Sequence, residues 1–481
     1  MGPKVRMALE LSKMIGMTPL GARIRWIVAA SLVATTSVGF GFTDDERESV
    51  LRFWSQPGRY EVAAPARVAQ LGEWQVRLTP AGSMWLHSLN TKRGLGKVPP
   101  TTDAKLNPAQ FGDSERWIEA RIAWDRAVAQ QLADQKNGRT PSPNPVRDPG
   151  PTPAPLLALA GAPPPLAEAV RPRLHIIRFP DGQESRLEDH VAMRPRYAFY
   201  RFHEGVMSGG QSVRGLPSSE VDRLYQKAGI SGFQRRVLEA VSLLEGGFDS
   251  VNTYDTGFVS VGVIQFASRS AGAGALGRVL LRMKKDAPRA FEVDFRRFGL
   301  DVTEDARLVA LDLESGEEKV GPEANQVIIQ EKRLVAVFQR AGRTSDAFRI
   351  AQLQVAMDDY YPGNVELEVK WNGRTWSGTV QDVIQTEAGM ATLMDRLVNT
   401  GNLNGLTTTL ARIATENGLD CISDCATFEY QITRAMTYRK DYLAVADLSK
   451  PRLIATQANR SGGPRTGRTQ NSSQKPPAKK P

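Results

Sequence analysis

The stretch from Leu244 to Phe266 constrains this chain more than any other. An apolar, helix-like run from Phe233 to Leu244 delivers Glu245 at its end, and Gly246-Gly247 then breaks the pattern. Each glycine in a helix interior costs roughly 1 kcal/mol relative to alanine, so a pair of them marks a stop. Asp255 follows on a polar loop, then Gly257, the hydroxyl of Ser260, and the short apolar run Val261-Gly262-Val263-Ile264-Gln265-Phe266. A carboxylic acid beside apolar groups, with a second carboxylate on a polar loop, divides acid and base roles between two environments.

Other chemistries are thinly supplied. The histidines are His87, His175, His190 and His203, with none beyond residue 203, which argues against a histidine-based triad or a multi-histidine metal site. Cys421 and Cys425 are the only cysteines, and two thiols cannot close a zinc site. Either a small local disulfide or two ordinary half-buried thiols fits their spacing, and the redox compartment decides between them. Carboxylate chemistry is left as nearly the only catalytic option, with no cofactor and no metal expected.

The 481 residues suffice for two or three domains, and the hydrophobic and charged fractions of 41% and 24% are ordinary for a globular protein. Residues 1–42 carry Lys4, Arg6, Lys13, Arg23 and Arg25 before an apolar stretch from Ile27 towards Phe42. That stretch is shorter than the ~20 residues of a spanning helix and suits a signal-peptide core or N-terminal anchor. Residues 43–138 read as a separate, mostly helical N-terminal module opened by Thr43-Asp44-Asp45-Glu46, a capping hydroxyl followed by acids. Trp54, Trp74, Trp85, Trp117 and Trp124 recur there, and core packing is the commoner reason for such aromatics than sugar stacking. Residues 139–172 are proline-rich and read as an extended spacer. Residues 173–228 form a small β element and lead-in: Leu174-His175-Ile176-Ile177-Arg178-Phe179, the turn signal Pro180-Asp181-Gly182, a second strand, and an aromatic run at Tyr197, Phe199, Tyr200 and Phe202. Residues 229–448 are mainly helical, with a β-like interruption from Ala306 to Ala341, and 449–481 form a polar, basic, disordered tail. The fold class is therefore α+β. The net charge of +10 points to anionic partners, and much of the excess lies in the tail. No recognition helix or aromatic-basic stripe accompanies it, so nucleic acid is not expected.

Three segments together resemble family 46 chitosanases of the lysozyme-like superfamily. Asp255-Thr-Gly257-Phe-Val-Ser260-Val-Gly262-Val-Ile264-Gln-Phe266 is similar to that family's Asp-x-x-Gly-Tyr-Thr-x-Gly-Ile-Ile-Gly-Phe segment, with Ser260 in place of threonine. Phe348-Arg349-x-Ala351-Gln352, followed by Asp359-Tyr360-Tyr361, and Leu393-x-Asp395-x-x-Val398-Asn399-x-Gly401 resemble its later helices in the same order. Glu245-x-Gly247 followed by Gly262-x-x-Gln265-Phe266 also looks like the lytic transglycosylase pattern. The resemblance spans residues 230–445. It departs from the chitosanases in a shorter gap between Glu245 and Asp255, and in Gln265 where they carry glycine.

The resemblance implies a mainly α-helical lysozyme-like domain with β-hairpin elements. It also implies Glu245 as the acid at the end of a helix, desolvated against Phe248 and Phe266 and protonating the leaving glycosidic oxygen. Asp255 would deprotonate a water held by Ser260, and Asn252, Tyr254 and Gln265 would contact sugar hydroxyls. If Asp255 is structural, Glu245 alone serves as acid and then base, as in lytic transglycosylases. Asp358, Asp359 and Asp395 are expected to be solvated or salt-bridged. These features point to an exported cell-wall glycan hydrolase or lytic transglycosylase, secreted, periplasmic or envelope-associated, with peptidoglycan as its polysaccharide and anionic envelope polymers engaging the tail. The alternatives are a chitosanase-type hydrolase and a non-catalytic peptidoglycan-binding protein.

Overall fold

The computed structural model describes residues 41–66, 68, 72–94, 108–190 and 200–450. Most of the leader, the basic tail from residue 451 and the aromatic positions Tyr197 and Phe199 lie outside the described residues.

Thr43 caps the first helix as its sequence predicts. Its hydroxyl accepts the Glu46 N–H, and the Glu46 carboxylate accepts the Thr43 N–H at 2.7 Å, which satisfies two groups that a helix start leaves open. The helix, α1 (Asp44–Trp54), buries Val50 and Trp54, and the Trp54 indole donates to the Phe298 carbonyl at 3.1 Å. Strand β1 (Tyr60–Ala63) then pairs antiparallel with β4 (Leu174–Arg178), which pairs with β5 (Glu184–Glu188). The β4–β5 hairpin is the one read from the Pro180-Asp181-Gly182 turn. The first twenty residues after the leader are thus built into the main core and not into a module of their own.

Strand β2 (Gln75–Leu78) pairs with β3 (Ala167–Val170), under helices α2 (Pro80–Lys92), α3 (Pro108–Lys136) and α4 (Ala154–Ala160). A second apolar cluster of Trp85, Leu89, Trp117, Ile118, Leu156 and Leu166 holds this layer together. The proline-rich segment read as a spacer therefore contributes a helix and a strand. Pro153 and Pro155 stand at the start of α4, where a missing N–H is no loss, and Leu156 and Leu166 are fully buried. Proline density alone hid that apolar content. From Phe42 onward the described residues belong to one compact unit.

The rest alternates helices with small antiparallel sheets, an α+β arrangement. Strands β6 (Met207–Ser208), β7 (Val251–Asn252), β8 (Ser260–Val261) and β9 (Phe266–Ala267) form a four-stranded sheet in that order, and α5 (Ser218–Lys227) and α6 (Gly232–Ser242) fall between β6 and β7. Helices α7 (Ala275–Asp286) and α8 (Pro288–Asp294) precede a three-stranded sheet of β10 (Leu300–Val302), β11 (Leu308–Leu311) and β12 (Glu318–Val320). The expected β character ends there. From Pro322 the chain forms α9 (Pro322–Gln330) and α10 (Lys332–Thr344). Leu334 to Phe338 are all at 0% exposure, and a continuous apolar run reads alike for a buried strand and a buried helix.

Helix α11 (Asp346–Tyr360) follows, then a hairpin of β13 (Glu366–Trp371) and β14 (Arg374–Thr379) that the sequence reading passed over, although Asn372-Gly373 is a strong hairpin turn and both residues have positive φ. Helices α12 (Glu387–Thr400), α13 (Leu406–Glu416) and α14 (Glu429–Met436) complete the fold. Cys421 and Cys425 are unbridged, and Cys425 is buried. Trp54, Trp85 and Trp117 are core residues, and Trp74 lies under the Lys136 ammonium at 3.7 Å. Among the described residues no helix is long and apolar enough to cross a membrane.

Candidate functional site

Helix α6 is fixed at its start by a reciprocal cap between Ser231 and Gln234 and buries Val237, Leu238 and Val241. After Ser242 one further turn is held by the Glu245 and Gly246 N–H groups donating to the Ser242 carbonyl at 3.0 and 2.9 Å. The two glycines are then required for separate reasons. Gly246 has φ 138°, and a Cβ on Gly247 would stand 1.8 Å from the Gln211 carbonyl oxygen. This close approach lets the Gly247 N–H donate to the Gly209 carbonyl at 3.2 Å, so the β6 segment lies alongside the glutamate.

Helix α12 packs beside α6, joined at its first residue by an Arg236 Nε to Glu387 hydrogen bond of 2.5 Å. At the other end Val398 and Asn399, in the last turn of α12, line the same cleft as Glu245. The negative ends of two helix dipoles therefore converge on this acid.

Arg439 answers that charge. Its guanidinium hydrogen-bonds the Glu245 carboxylate and also donates to Asp395 from Nε at 3.0 Å and from Nη2 at 2.5 Å. Asn399 donates to the Asp395 carboxylate at 3.1 Å. The Glu245 side chain is 12% exposed and that of Asp395 only 1%. Burial pushes the Glu245 carboxyl above its ordinary pKa. Arg439 and Asn399 pull against that rise, and the Asp395 charge adds to it.

The second carboxylate, Asp255, lines the same cleft from a polar loop. Asp255 accepts the Gly257 N–H through Oδ1 and the Asn252 side-chain amide through Oδ2, each at 2.8 Å, which fixes the plane of the carboxylate. Asn252 is held in turn by accepting the Tyr254 N–H at 3.1 Å. Ser260 is the antiparallel partner of Asn252 across β7 and β8. A Cβ on Gly257 would lie 2.6 Å from the Ser260 hydroxyl and 3.0 Å from Asp255 Oδ1, so glycine leaves room for both. Glu245, Asn252, Tyr254, Asp255, Ser260 and Gln265 all line one cleft of about 420 Å³.

Two expectations need correction. Phe248 and Phe266 turn into the core, at 2% and 1% exposure, and do not line the cleft; its apolar lining comes from Met207, Leu244, Val251, Ile264 and Val398. Gln265, at φ 53°, uses both amide hydrogens within the loop, on Ser250 Oγ at 2.8 Å and the Gly262 carbonyl at 3.2 Å, so its nitrogen is structural. Tyr254 reaches the cleft with a ring that is largely buried against Tyr200.

The later motif positions hold this loop shut. Gln352, fully buried on α11, accepts the Val263 N–H and donates to the Phe248 carbonyl, both at 3.0 Å, and so ties the two ends of the loop together. Arg349 donates to the Gly342 carbonyl at 2.7 Å and pairs with Glu220. Asp358 and Asp359 pair with Arg282 and Arg278 on α7, as expected of solvated, salt-bridged acids. Asp395 is salt-bridged but not solvated. Arg439 was missed altogether. It lies beyond the last matching segment, and no local pattern joins it to Glu245.

No protein-family model, curated protein or solved structure matches the chain.

Proposed function

We propose that the protein is an exported bacterial cell-wall glycan hydrolase or lytic transglycosylase, built on a lysozyme-like scaffold and cleaving glycosidic bonds of peptidoglycan. One observation carries the reading: a nearly buried acid, Glu245, and a carboxylate clamped on a polar loop, Asp255, line a single cleft. In this mechanism Glu245, its pKa raised by burial, delivers a proton to the leaving glycosidic oxygen. Arg439 and Asn399 orient the carboxyl and stabilise the carboxylate left behind. Asp255 accepts the proton of a water positioned by the Ser260 hydroxyl, on the opposite face of the sugar. In the transglycosylase form of the reaction Glu245 recovers a proton from the sugar itself, and Asp255 serves to shape the loop. The basic tail, Lys- and Arg-rich, suits retention at anionic wall polymers.

A second reading draws on the same cleft. Two carboxylates are more than a single-acid transglycosylase needs, and they fit a two-carboxylate hydrolase of the chitosanase type. Incubating the full chain with peptidoglycan and with chitosan separates the readings. Release of muropeptides from peptidoglycan alone supports the first, and cleavage of chitosan alone supports the second. Tight binding to peptidoglycan with no bond cleaved on either polymer leaves a non-catalytic wall-binding protein.

A further inference from the structure

The layer of β2, β3 and α2 to α4 reaches the cleft-lining Tyr254 through a small buried cluster against which Leu86 of α2 also packs. Leu78, the last residue of β2, shares a small buried cluster with Tyr200 and Tyr254, all at 4% exposure or less. The rings of Tyr200 and Tyr254 stand 4.9 Å apart. Arg77, itself 1% exposed, lays its guanidinium 5.5 Å from the Tyr200 ring centroid. It is pinned there by Glu168 of β3 at 2.9 Å and by the His203 carbonyl at 2.8 Å. Tyr254 is also held through its backbone, with its carbonyl accepting the Arg201 N–H at 2.7 Å. Gly205 packs so closely that a Cβ there would fall 2.3 Å from the Tyr254 Cα. Tyr254 is followed directly by Asp255, and both line the cleft.

We propose that the N-terminal layer positions the glycan-binding wall of the cleft, with Arg77 and Leu78 acting through Tyr200 on Tyr254. Tyr200 is a positioning residue: it is buried behind the cleft lining and sets where the Tyr254 ring and the Asp255 loop stand. Such a role accounts for why a layer with its own apolar cluster sends one strand end to the cleft. A buried aromatic pair exceeds its area burial by an amount equivalent to about 2- to 10-fold in an equilibrium. The inference rests on the glycan-cleaving reading for its consequence, not for its geometry.

The test uses the full chain carrying Glu245→Gln, with the N-acetylglucosamine hexamer as probe. Tyr200→Leu removes the ring contact, Tyr200→Phe keeps it, and Leu156→Ala weakens the layer at its other cluster, away from the cleft. Tyr200→Leu is expected to weaken hexamer binding about 2- to 10-fold, Tyr200→Phe to restore it, and Leu156→Ala to leave it unchanged despite a lower Tm. Equal weakening by Leu156→Ala and Tyr200→Leu would overturn the inference, because the layer would then act through stability alone. Hydrogen exchange of the Tyr254 to Gly257 amides reads the same question without a ligand. Faster exchange in Tyr200→Leu but not in Leu156→Ala supports positioning even if the hexamer does not bind the parent, an outcome that counts against the glycan reading and not against this one. Unchanged exchange in both variants overturns it.

Discussion

At Glu245, burial competes with an arginine. Burial raises the carboxyl's pKa, Arg439 and Asn399 pull it back, and the net shift is upward. The rate should therefore fall as pH rises through this raised pKa. Replacing Arg439 by methionine removes the largest opposing pull and should move that limb to higher pH, which a pH–rate profile on peptidoglycan reads directly; an unmoved limb would remove Glu245 from the acid role. The same shift has a stability consequence. The folded chain keeps the Glu245 proton where the unfolded chain has lost it. This group's contribution is thus fully present below the ordinary glutamate pKa and is lost as pH rises through the raised value. In Glu245→Gln that component of the stability–pH curve should vanish. Gln352 makes a second residue-scale case. Its side chain satisfies two buried backbone groups, and Gln352→Leu leaves both without partners. The expected loss is about 2–4 kcal/mol in urea unfolding, and a loss below about 1 kcal/mol would mean that the loop closes without this clamp.

Two helix ends, the β6 segment, one loop and Arg439 make the cleft, and their legibility in the sequence differed. The run ending at Glu245-Gly246-Gly247 announced its helix stop, and Thr43 and the Pro180-Asp181-Gly182 turn announced their cap and hairpin, because each signal is local and steric. Asp255, Gly257 and Ser260 were legible as a loop of short polar side chains around a glycine. Arg439 was not, since a guanidinium reaching Glu245 from 194 residues away leaves no periodic trace. The role of Gln352 was hidden for the same reason: the motif marked the position, and only the folded chain reveals two backbone partners. Helix α10 was misread because the short continuous apolar run Leu334 to Phe338 fits a buried strand equally well, although the helix as a whole sets its polar and apolar residues on opposite faces. At this scale the loop makes its own prediction. Gly257→Ala introduces a Cβ against Ser260 Oγ and Asp255 Oδ1, so it should lower activity by about 10- to 100-fold through misplacement of the second carboxylate. Thermal unfolding should change little, and a variant of full activity would show that Asp255 and Ser260 need not hold their places.

The molecule from Phe42 onward is more continuous than its composition suggests. Strand β1 supplies an edge to β4, and Trp54 fills a slot among Phe53, Phe179 and Phe298. Trp54→Ala should therefore cost about 3–5 kcal/mol, although it lies far from the cleft in sequence. A fragment beginning at Arg173 should likewise lack a cooperative melt; a melt equal to that of the longer chain would restore the picture of a separate N-terminal module. This continuity explains why the proline-rich segment is not a hinge, and it ties α1, the β2–β3 layer and the cleft into one unit. The central claim, that Glu245 is the acid of a glycan-cleaving site, is tested most directly by muropeptide release from purified peptidoglycan by the full chain and by Glu245→Gln at matched Tm. Release by the parent is expected, with a rate at least about 100-fold lower in the variant. Equal release by both, or firm binding by the parent with no release at all, would contradict it.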